Sequence, residues 1–185
     1  MALLSSLTLA GLICTAAAQD PFVKVLNGSY SGLHLPQFSQ DVFLGIPYAQ
    51  DTGGPNRFRI PQPLDTSWSG THDAKQYSVA CPDASSDDDA LYGMGEDCLS
   101  INVVRPAGID EDAKLPVTVW IHGGSYQVGS SSLPNYNLTY FVERSVQIGK
   151  PVVATSINYR KGGWGNMYSI EIQASDPLLV ARTLH

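Results

Sequence analysis

Short apolar runs, separated by glycine, proline and polar residues, recur along the chain, and most of them match the two-residue period of a β-strand. Near the amino terminus, residues 22–26 and 30–35 predict two strands, and Asn27-Gly28 between them is a strong signal for a hairpin turn. A third strand is predicted over residues 42–46, before Pro47. Together these segments predict a small antiparallel sheet at the start of the domain.

Further runs in the second half of the chain predict a mixed central sheet. Residues 99–104 alternate and residues 152–157 are rich in β-branched side chains, so both predict strands. Residues 117–121 are nearly all apolar, which favours a strand covered on both faces. Residues 138–148 have a helical period, so a βαβ unit with two parallel strands is expected. We therefore predict an α/β fold, with residues 51–72 as a loop because glycine and proline interrupt every period there.

The strand at 117–121 stops at His122-Gly123-Gly124-Ser125, and this turn is the first candidate for chemistry. Two glycines after a buried strand let the backbone turn sharply and approach another group closely. One interpretation is a tight turn and nothing more. The other is an oxyanion loop, because H-G-G-G-type loops of α/β-hydrolase lipases and esterases use backbone N–H groups to bind a carbonyl oxygen. The preceding V-T-V-W-I strand favours the second interpretation.

The composition argues against several classes of function. The 185 residues are 43% hydrophobic and 15% charged, which is typical of one globular domain. A net charge of −6 argues against nucleic acid and anionic membrane surfaces as partners. The run Asp87-Asp88-Asp89 is interpreted as a solvated loop, since the spacing of an EF-hand calcium site is absent. No sequence feature indicates a cofactor or an oligomeric state.

The first 18 residues predict a secretory signal peptide. They have an apolar centre, no charged side chain and an Ala-Ala-Ala ending, and they are too short for a transmembrane helix. The usual Lys or Arg near the start is missing. No later segment is apolar for long enough to span a bilayer, so the protein is expected to be secreted, with glycosylation sequons at Asn27 and Asn137.

Cysteine and histidine usage favours a disulfide over a metal site. Cys14 would leave with the signal peptide, and the remaining pair, Cys81 and Cys98, is expected to form one disulfide in a secreted protein. A metal site is the alternative, but it would need more ligands. The histidines are scattered without the spacing of a metal site: His34, His72, His122 and His185.

Five blocks of sequence, in order, resemble the type-B carboxylesterases, the group of the cholinesterases and fungal lipases. The resemblance spans residues 20 to 174. The blocks are F-L-G-I-P-Y-A at 43–49, the run R-F…P-x-P-L…W at 57–68, E-D-C-L-S-I-N-V at 96–103, P-V-T-V-W-I-H-G-G-S-Y-Q-V-G-S at 116–130, and I-N-Y-R at 157–160. Five ordered matches make the resemblance more specific than any one block.

The resemblance implies an α/β-hydrolase fold and the hydrolysis of carboxylic esters, which can be small molecules or lipids. The reaction uses a triad of a serine, an acidic residue (Glu or Asp) and a histidine. In the family the second and third glycines of G-G-G donate the oxyanion hydrogen bonds, which implies the N–H groups of Gly124 and Ser125 here. Ser125 departs from glycine but keeps its N–H group. Gly123 would be the turn residue, and His122 a structural imidazole under the loop rather than a proton-transfer group.

The resemblance also implies three structural features. The first is the disulfide between Cys81 and Cys98. The second is a buried ion pair between Arg57 and Glu96. The third is a carboxylate partner for Arg160, which would lie further along the chain.

The chain departs from the family where the nucleophile should follow. No G-x-S-x-G motif occurs in the 185 residues, and after Ala174 the sequence no longer resembles the family. His185 has no family-like context. We therefore expect a signal peptide at 1–18, the N-terminal part of a carboxylesterase domain at 19–174 and a divergent tail at 175–185. The catalytic triad would be absent, and the chain inactive by itself.

The sequence is compatible with three hypotheses for function. The favoured one is a secreted carboxylesterase or lipase of which this chain is a truncated N-terminal portion. The alternative is a non-catalytic, carboxylesterase-like binding or adhesion protein, because the same fold family includes proteins without the catalytic serine. A small secreted disulfide module unrelated to hydrolases is the third, and the five matching blocks argue against it.

Overall fold

The computed structural model describes residues 20–84, 91–110, 112–167 and 169–170. The predicted signal peptide at 1–18, the aspartate run at 87–89 and the predicted tail at 175–185, which includes His185, lie outside the described residues. In the described ranges, no helix is long and apolar enough to cross a membrane.

A small three-stranded sheet opens the domain. Strands β1 (Phe22–Lys24) and β2 (Ser29–Ser31) are antiparallel neighbours on either side of Asn27-Gly28, which confirms the predicted hairpin. Strand β5 (Thr71–Asp73) pairs in parallel with β2. The predicted loop over residues 51–72 is therefore wrong at its end, because the pairing of β5 depends on a partner 42 residues earlier and not on its own polar sequence.

The predicted strand over residues 30–35 is divided between two sheets, and the single antiparallel sheet expected from the first three segments is wrong. Strand β3 (Leu33–Leu35) pairs with β4 (Gln40–Pro47), away from β2. The division falls at Gly32, where an added Cβ would lie 2.3 Å from the Val42 carbonyl oxygen. Only glycine lets the chain cross from one sheet to the other this close to β4.

The central sheet has five strands in the order β3-β4-β6-β8-β7. Strand β6 (Ser100–Pro106) is antiparallel to both β4 and β8 (Val153–Ile157), whereas β7 (Val117–Ile121) and β8 are parallel. The predicted mixed sheet and the parallel pair are both confirmed.

Helix α1 (Thr139–Gln147) connects β7 to β8 and completes the predicted βαβ unit. Its inner face packs on β6 and β8, with Val142 fully buried. Val142 forms the main core cluster with Val42, Val104 and Ala154, one residue from each of three strands and the helix. A five-residue helix, α2 (Gly162–Asn166), follows β8.

Strand β7 lies at the edge of the central sheet, and the exposure of its side chains shows that the prediction of two covered faces is wrong for the described chain. All five residues are exposed, from 41% at Trp120 to 61% at Val117. Among the described strands, β8 is its one hydrogen-bonded neighbour. The apolar pattern of β7 indicates a strand suited to burial, but a local pattern does not specify what covers it.

Cys81 and Cys98 form the predicted disulfide, with 5.0 Å between their Cα atoms. Both are buried and pack against Ala49 and Leu99 in a second core cluster. The disulfide therefore links the segment around Cys81 to the residues directly before β6.

Replacing both cysteines, Cys81→Ala and Cys98→Ala, is expected to lower the free energy of unfolding by about 3 kcal/mol, because a 17-residue separation is no longer closed in the unfolded chain. Urea denaturation followed by tryptophan fluorescence measures the change. Adding a reductant should bring the wild type to the stability of the double variant and leave the variant unchanged. An unaltered midpoint in the double variant would contradict this account.

Candidate functional site

The loop that follows β7 makes a tight turn at Gly124. The N–H groups of Gln127 and Val128 both donate to the Gly124 carbonyl oxygen, at 2.9 and 3.1 Å. Gly124, Ser125 and Tyr126 all have positive φ angles, of 121°, 55° and 59°. An added Cβ on Gly124 would lie 1.9 Å from the Val128 carbonyl oxygen, so this position requires glycine.

The turn leaves two adjacent backbone donors unused. In the part of the chain that the structure describes, neither the Gly124 nor the Ser125 N–H group donates to another protein atom. Ser125 is exposed and Gly124 is half-buried. Successive N–H groups in a left-handed turn form a concave site for an anionic oxygen. The oxyanion role that the sequence predicts for these two N–H groups stays a prediction.

His122 lies beneath the turn and is buried. Its ring stacks on Tyr159 at 4.4 Å, and the Tyr159 hydroxyl donates to the His122 carbonyl oxygen at 2.8 Å. Nδ1 donates to the Gly123 carbonyl oxygen at 2.9 Å, whereas the buried Nε2 has no partner among the described residues. Burial lowers the pKa of His122, an effect that the bond to Gly123 opposes. Burial therefore favours the neutral imidazole, which supports the Gly123 peptide.

Asn158 fixes the far end of the loop. Its side-chain Oδ1 accepts hydrogen bonds from the Ser131 N–H at 2.9 Å and the Ser130 hydroxyl at 3.4 Å. Its Nδ2 donates to the Ser78 hydroxyl at 3.3 Å and the Val79 carbonyl oxygen at 3.1 Å. One buried amide therefore joins the loop to the segment before the disulfide.

Asn102 anchors the same end of the loop to the central sheet. Its Nδ2 donates to the hydroxyls of Ser131 and Ser156, at 3.0 and 3.1 Å, and its Oδ1 accepts from the Gly45 N–H at 2.9 Å. Neither Asn102 nor Asn158 was predicted from the sequence as a site residue. The available signal is an amide whose immediate neighbours in the sequence are apolar or aromatic on both sides, within a strand or directly after one, which indicates a polar group that needs partners.

Arg57 and Glu96 form the predicted ion pair, with Nε to Oε1 at 2.7 Å and Nη2 to Oε2 at 2.5 Å. The pair is not buried as expected, because the side chains are 51% and 19% exposed. Water screens the attraction, so the pair contributes orientation more than stability.

Arg160 is buried, and its Nη2 donates to the Arg59 carbonyl oxygen at 2.7 Å. Its Nη1 has no hydrogen-bond partner within the described ranges, which hold no carboxylate paired with Arg160. Burial lowers the pKa of Arg160, and the nearby Tyr48 and Glu96 oppose this shift. The carboxylate expected further along the chain stays a prediction.

The two sequons differ in structure. Asn27 is half-buried, and its Nδ2 donates to the carbonyl oxygens of Leu64 and Thr66 at 3.2 and 3.0 Å. Asn137 is exposed, and its Oδ1 accepts from the N–H and hydroxyl groups of Thr139 at 3.0 and 2.8 Å. Only Asn137 therefore presents its amide nitrogen without breaking a described hydrogen bond.

The fold and the loop identify the class of protein. The sequence profile of the Carboxylesterase family matches residues 19–174. Among solved structures, a thermophilic PNB esterase superposes with a TM-score of 0.74 at 30% identity, over 88% of this chain and 32% of that one. The chain belongs to the carboxylesterase family and has part of the α/β-hydrolase fold.

Individual relatives are fungal. The chain is 39% identical to Lipase 1 of Geotrichum candidum over 175 residues, which cover 80% of this chain and 30% of the lipase. It is also 39% identical over 132 residues to the inactive carboxylesterase-like protein VdtD of Byssochlamys spectabilis, covering 69% of this chain and 23% of VdtD. Two further relatives are named as secreted lipases. The one from Arthroderma benhamiae is 35% identical, over 83% of this chain and 28% of its own length. The one from Botryotinia fuckeliana is 32% identical, over 86% of this chain and 30% of its own length. The chain spans less than a third of the length of these relatives.

Replacing Asn158 by alanine is expected to lower the free energy of unfolding by about 3 kcal/mol, because the Ser131 N–H and the Val79 carbonyl oxygen lose their buried partner. The matched control is Asn135→Ala, an exposed asparagine, with an expected change within about 0.5 kcal/mol. Urea denaturation compares the two variants, and equal stability losses would refute the role given to Asn158.

His122 is expected to make the stability depend on pH. Because burial lowers its pKa below the usual 6.5, the unfolded chain binds a proton that the folded chain excludes. The contribution is fully present above pH 6.5 and is lost as the pH falls below that value. The difference in stability between wild type and His122→Gln, measured from pH 5 to 8, should therefore shrink towards acid. A difference that is constant with pH would overturn this assignment.

Proposed function

We propose that this sequence belongs to a secreted carboxylic ester hydrolase and that the N–H groups of Gly124 and Ser125 form its oxyanion hole. The observation that carries the proposal is the left-handed turn after β7, which leaves these two adjacent donors without acceptors among the described residues. Membership of the carboxylesterase family supports an ester as the substrate.

The chemistry that suits such a turn is the stabilisation of a developing negative charge. When a serine attacks an ester carbonyl, the carbonyl oxygen gains charge, and donors already in place stabilise it without reorganising. Losing one such donor typically lowers kcat by about 10²- to 10³-fold. The donors in this proposal are backbone groups, so the serine side chain at position 125 does not alter their chemistry.

The proposal assigns no nucleophile to these 185 residues. No G-x-S-x-G motif occurs in them, and they match about a third of the relatives' length. In the proposal the chain is the N-terminal part of a longer hydrolase and supplies the oxyanion loop alone. The expected result for the purified 185-residue chain is no measurable hydrolysis of p-nitrophenyl butyrate.

Secretion in this proposal is supported by three observations. The apolar, uncharged residues 1–18 resemble a signal peptide, and two relatives are named as secreted lipases. The disulfide between Cys81 and Cys98 suits an oxidising compartment. Asn137 is the better placed of the two proposed glycosylation sites.

A non-catalytic binding protein is the second candidate, favoured by the 39% identity to a relative named as inactive. The two candidates differ in what they require of the loop. A hydrolase needs both donors of the turn, whereas a binding protein does not depend on the N–H group at position 125.

A chimera tests the proposal. Residues 20–167 of this chain replace the matching part of the thermophilic PNB esterase, and hydrolysis of p-nitrophenyl butyrate is measured. The chimera is expected to be active. Ser125→Pro should lower kcat at least about 10²-fold, because proline has no N–H group to donate and its ring fixes φ at about −65°, away from the 55° of this turn.

Ser125→Gly is the matched control, since glycine keeps the N–H group and relaxes a φ of 55°. It should retain the activity of the chimera. Circular dichroism and thermal unfolding establish that each variant is folded. A folded Ser125→Pro chimera with full kcat would refute the oxyanion role, and a folded but inactive parent chimera would favour the binding protein.

A further inference from the structure

A fully buried ion pair lies beside the candidate oxyanion loop. The Lys161 Nζ is 2.5 Å from the Asp83 Oδ2, and the two side chains are 0% and 3% exposed. Asp83 follows the disulfide cysteine Cys81, and Lys161 lies between β8 and α2. Neither residue belongs to the sequence blocks that carry the family resemblance, and the oxyanion chemistry proposed above does not use either of them.

The pair holds both backbone groups of one loop residue. The Lys161 ammonium donates to the Gly129 carbonyl oxygen, and the Gly129 N–H donates to the Asp83 Oδ2 at 3.2 Å. Gly129, with a φ of 109°, packs closely on the start of the loop. An added Cβ there would lie 2.7 Å from the Gly123 carbonyl oxygen and 2.8 Å from the His122 Nδ1.

A second contact from the same segment reaches the middle of the turn. The Gly162 N–H donates to the Tyr126 carbonyl oxygen at 2.6 Å. Residues 161 and 162 therefore hold the loop at two points, on either side of Gln127 and Val128. The Gly124 and Ser125 donors lie immediately before the first of these points.

A buried ion pair contributes little net stability, because both charges lose their hydration. Apolar residues of similar volume often stabilise a protein as much as the ion pair does. What charged groups add is a fixed direction for each hydrogen bond. Here those bonds end on the backbone of Gly129, which closes the loop against its own start. The arrangement therefore serves the geometry of the loop.

We propose that Lys161 and Asp83 are positioning residues that hold the N–H groups of Gly124 and Ser125 in the geometry that receives the anionic oxygen of an ester intermediate. The ligand in this inference rests on the proposed function. We call the contacts of Lys161 and Asp83 with the backbone of Gly129 the clamp. The clamp does not depend on the proposed function and can be tested without measuring catalysis.

Amide hydrogen exchange in the 185-residue protein tests the clamp. Lys161→Met should speed exchange of the amides of Gln127, Val128 and Gly129 at least about 10-fold, since these groups are hydrogen-bonded in the closed loop. Amides of β4 and β6 should keep their rates. Lys150→Met, which removes an exposed lysine, is the matched control and should leave the loop unchanged.

The double variant Lys161→Met with Asp83→Leu separates positioning from stability. It removes both buried charges together, so the midpoint of urea unfolding should recover from the single variant towards the wild type, while loop exchange stays fast. Recovery of slow loop exchange in the double variant would overturn the proposal, as would unchanged loop exchange in a folded Lys161→Met protein. If the single variant does not fold, the double variant decides by the same exchange rates.

Discussion

The geometry of the candidate site depends most on the hydrogen bonds of the Asn158 side chain. It follows β8 directly, and each of its polar atoms bonds a different part of the chain. Its own backbone N–H donates to Ser100, and its carbonyl oxygen accepts from the Tyr48 hydroxyl. A buried amide whose polar atoms are all hydrogen-bonded is held in one orientation. The end of the loop, the segment before the disulfide and the central sheet are therefore fixed relative to one another.

The elements with a local pattern were predictable from the sequence. Helix α1 lies within one residue of the predicted range at each end, and the strands of the βαβ unit have the predicted order and direction. The division at Gly32, the pairing of β5 and the edge position of β7 were not predictable. Each of these depends on a neighbour that is distant in the sequence. Neither the β-propensity of a segment nor the period of its apolar residues specifies that neighbour.

The same distinction applies to the site. The turn at Gly123-Gly124-Ser125 was predictable, because glycines directly after a strand constrain the backbone locally. Its supports were not: Asp83 and Lys161 are 78 positions apart, and a single sequence does not distinguish a buried lysine from an exposed one. The exposure of the Arg57–Glu96 pair was missed for the same reason, since a matched motif gives the partner but not the burial.

The position of β7 at the sheet edge has a consequence for synthesis. Its hydrogen-bonded neighbour in the described sheet, β8, leaves the ribosome 36 positions later, which takes about 2–7 s at 5–20 residues per second. During that interval β6 also lacks its β8 partner. The candidate oxyanion loop emerges directly after β7, yet the residues that hold it, Asn158, Lys161 and Gly162, emerge only after β8. The nascent loop therefore acquires these contacts only after β8 has been synthesised.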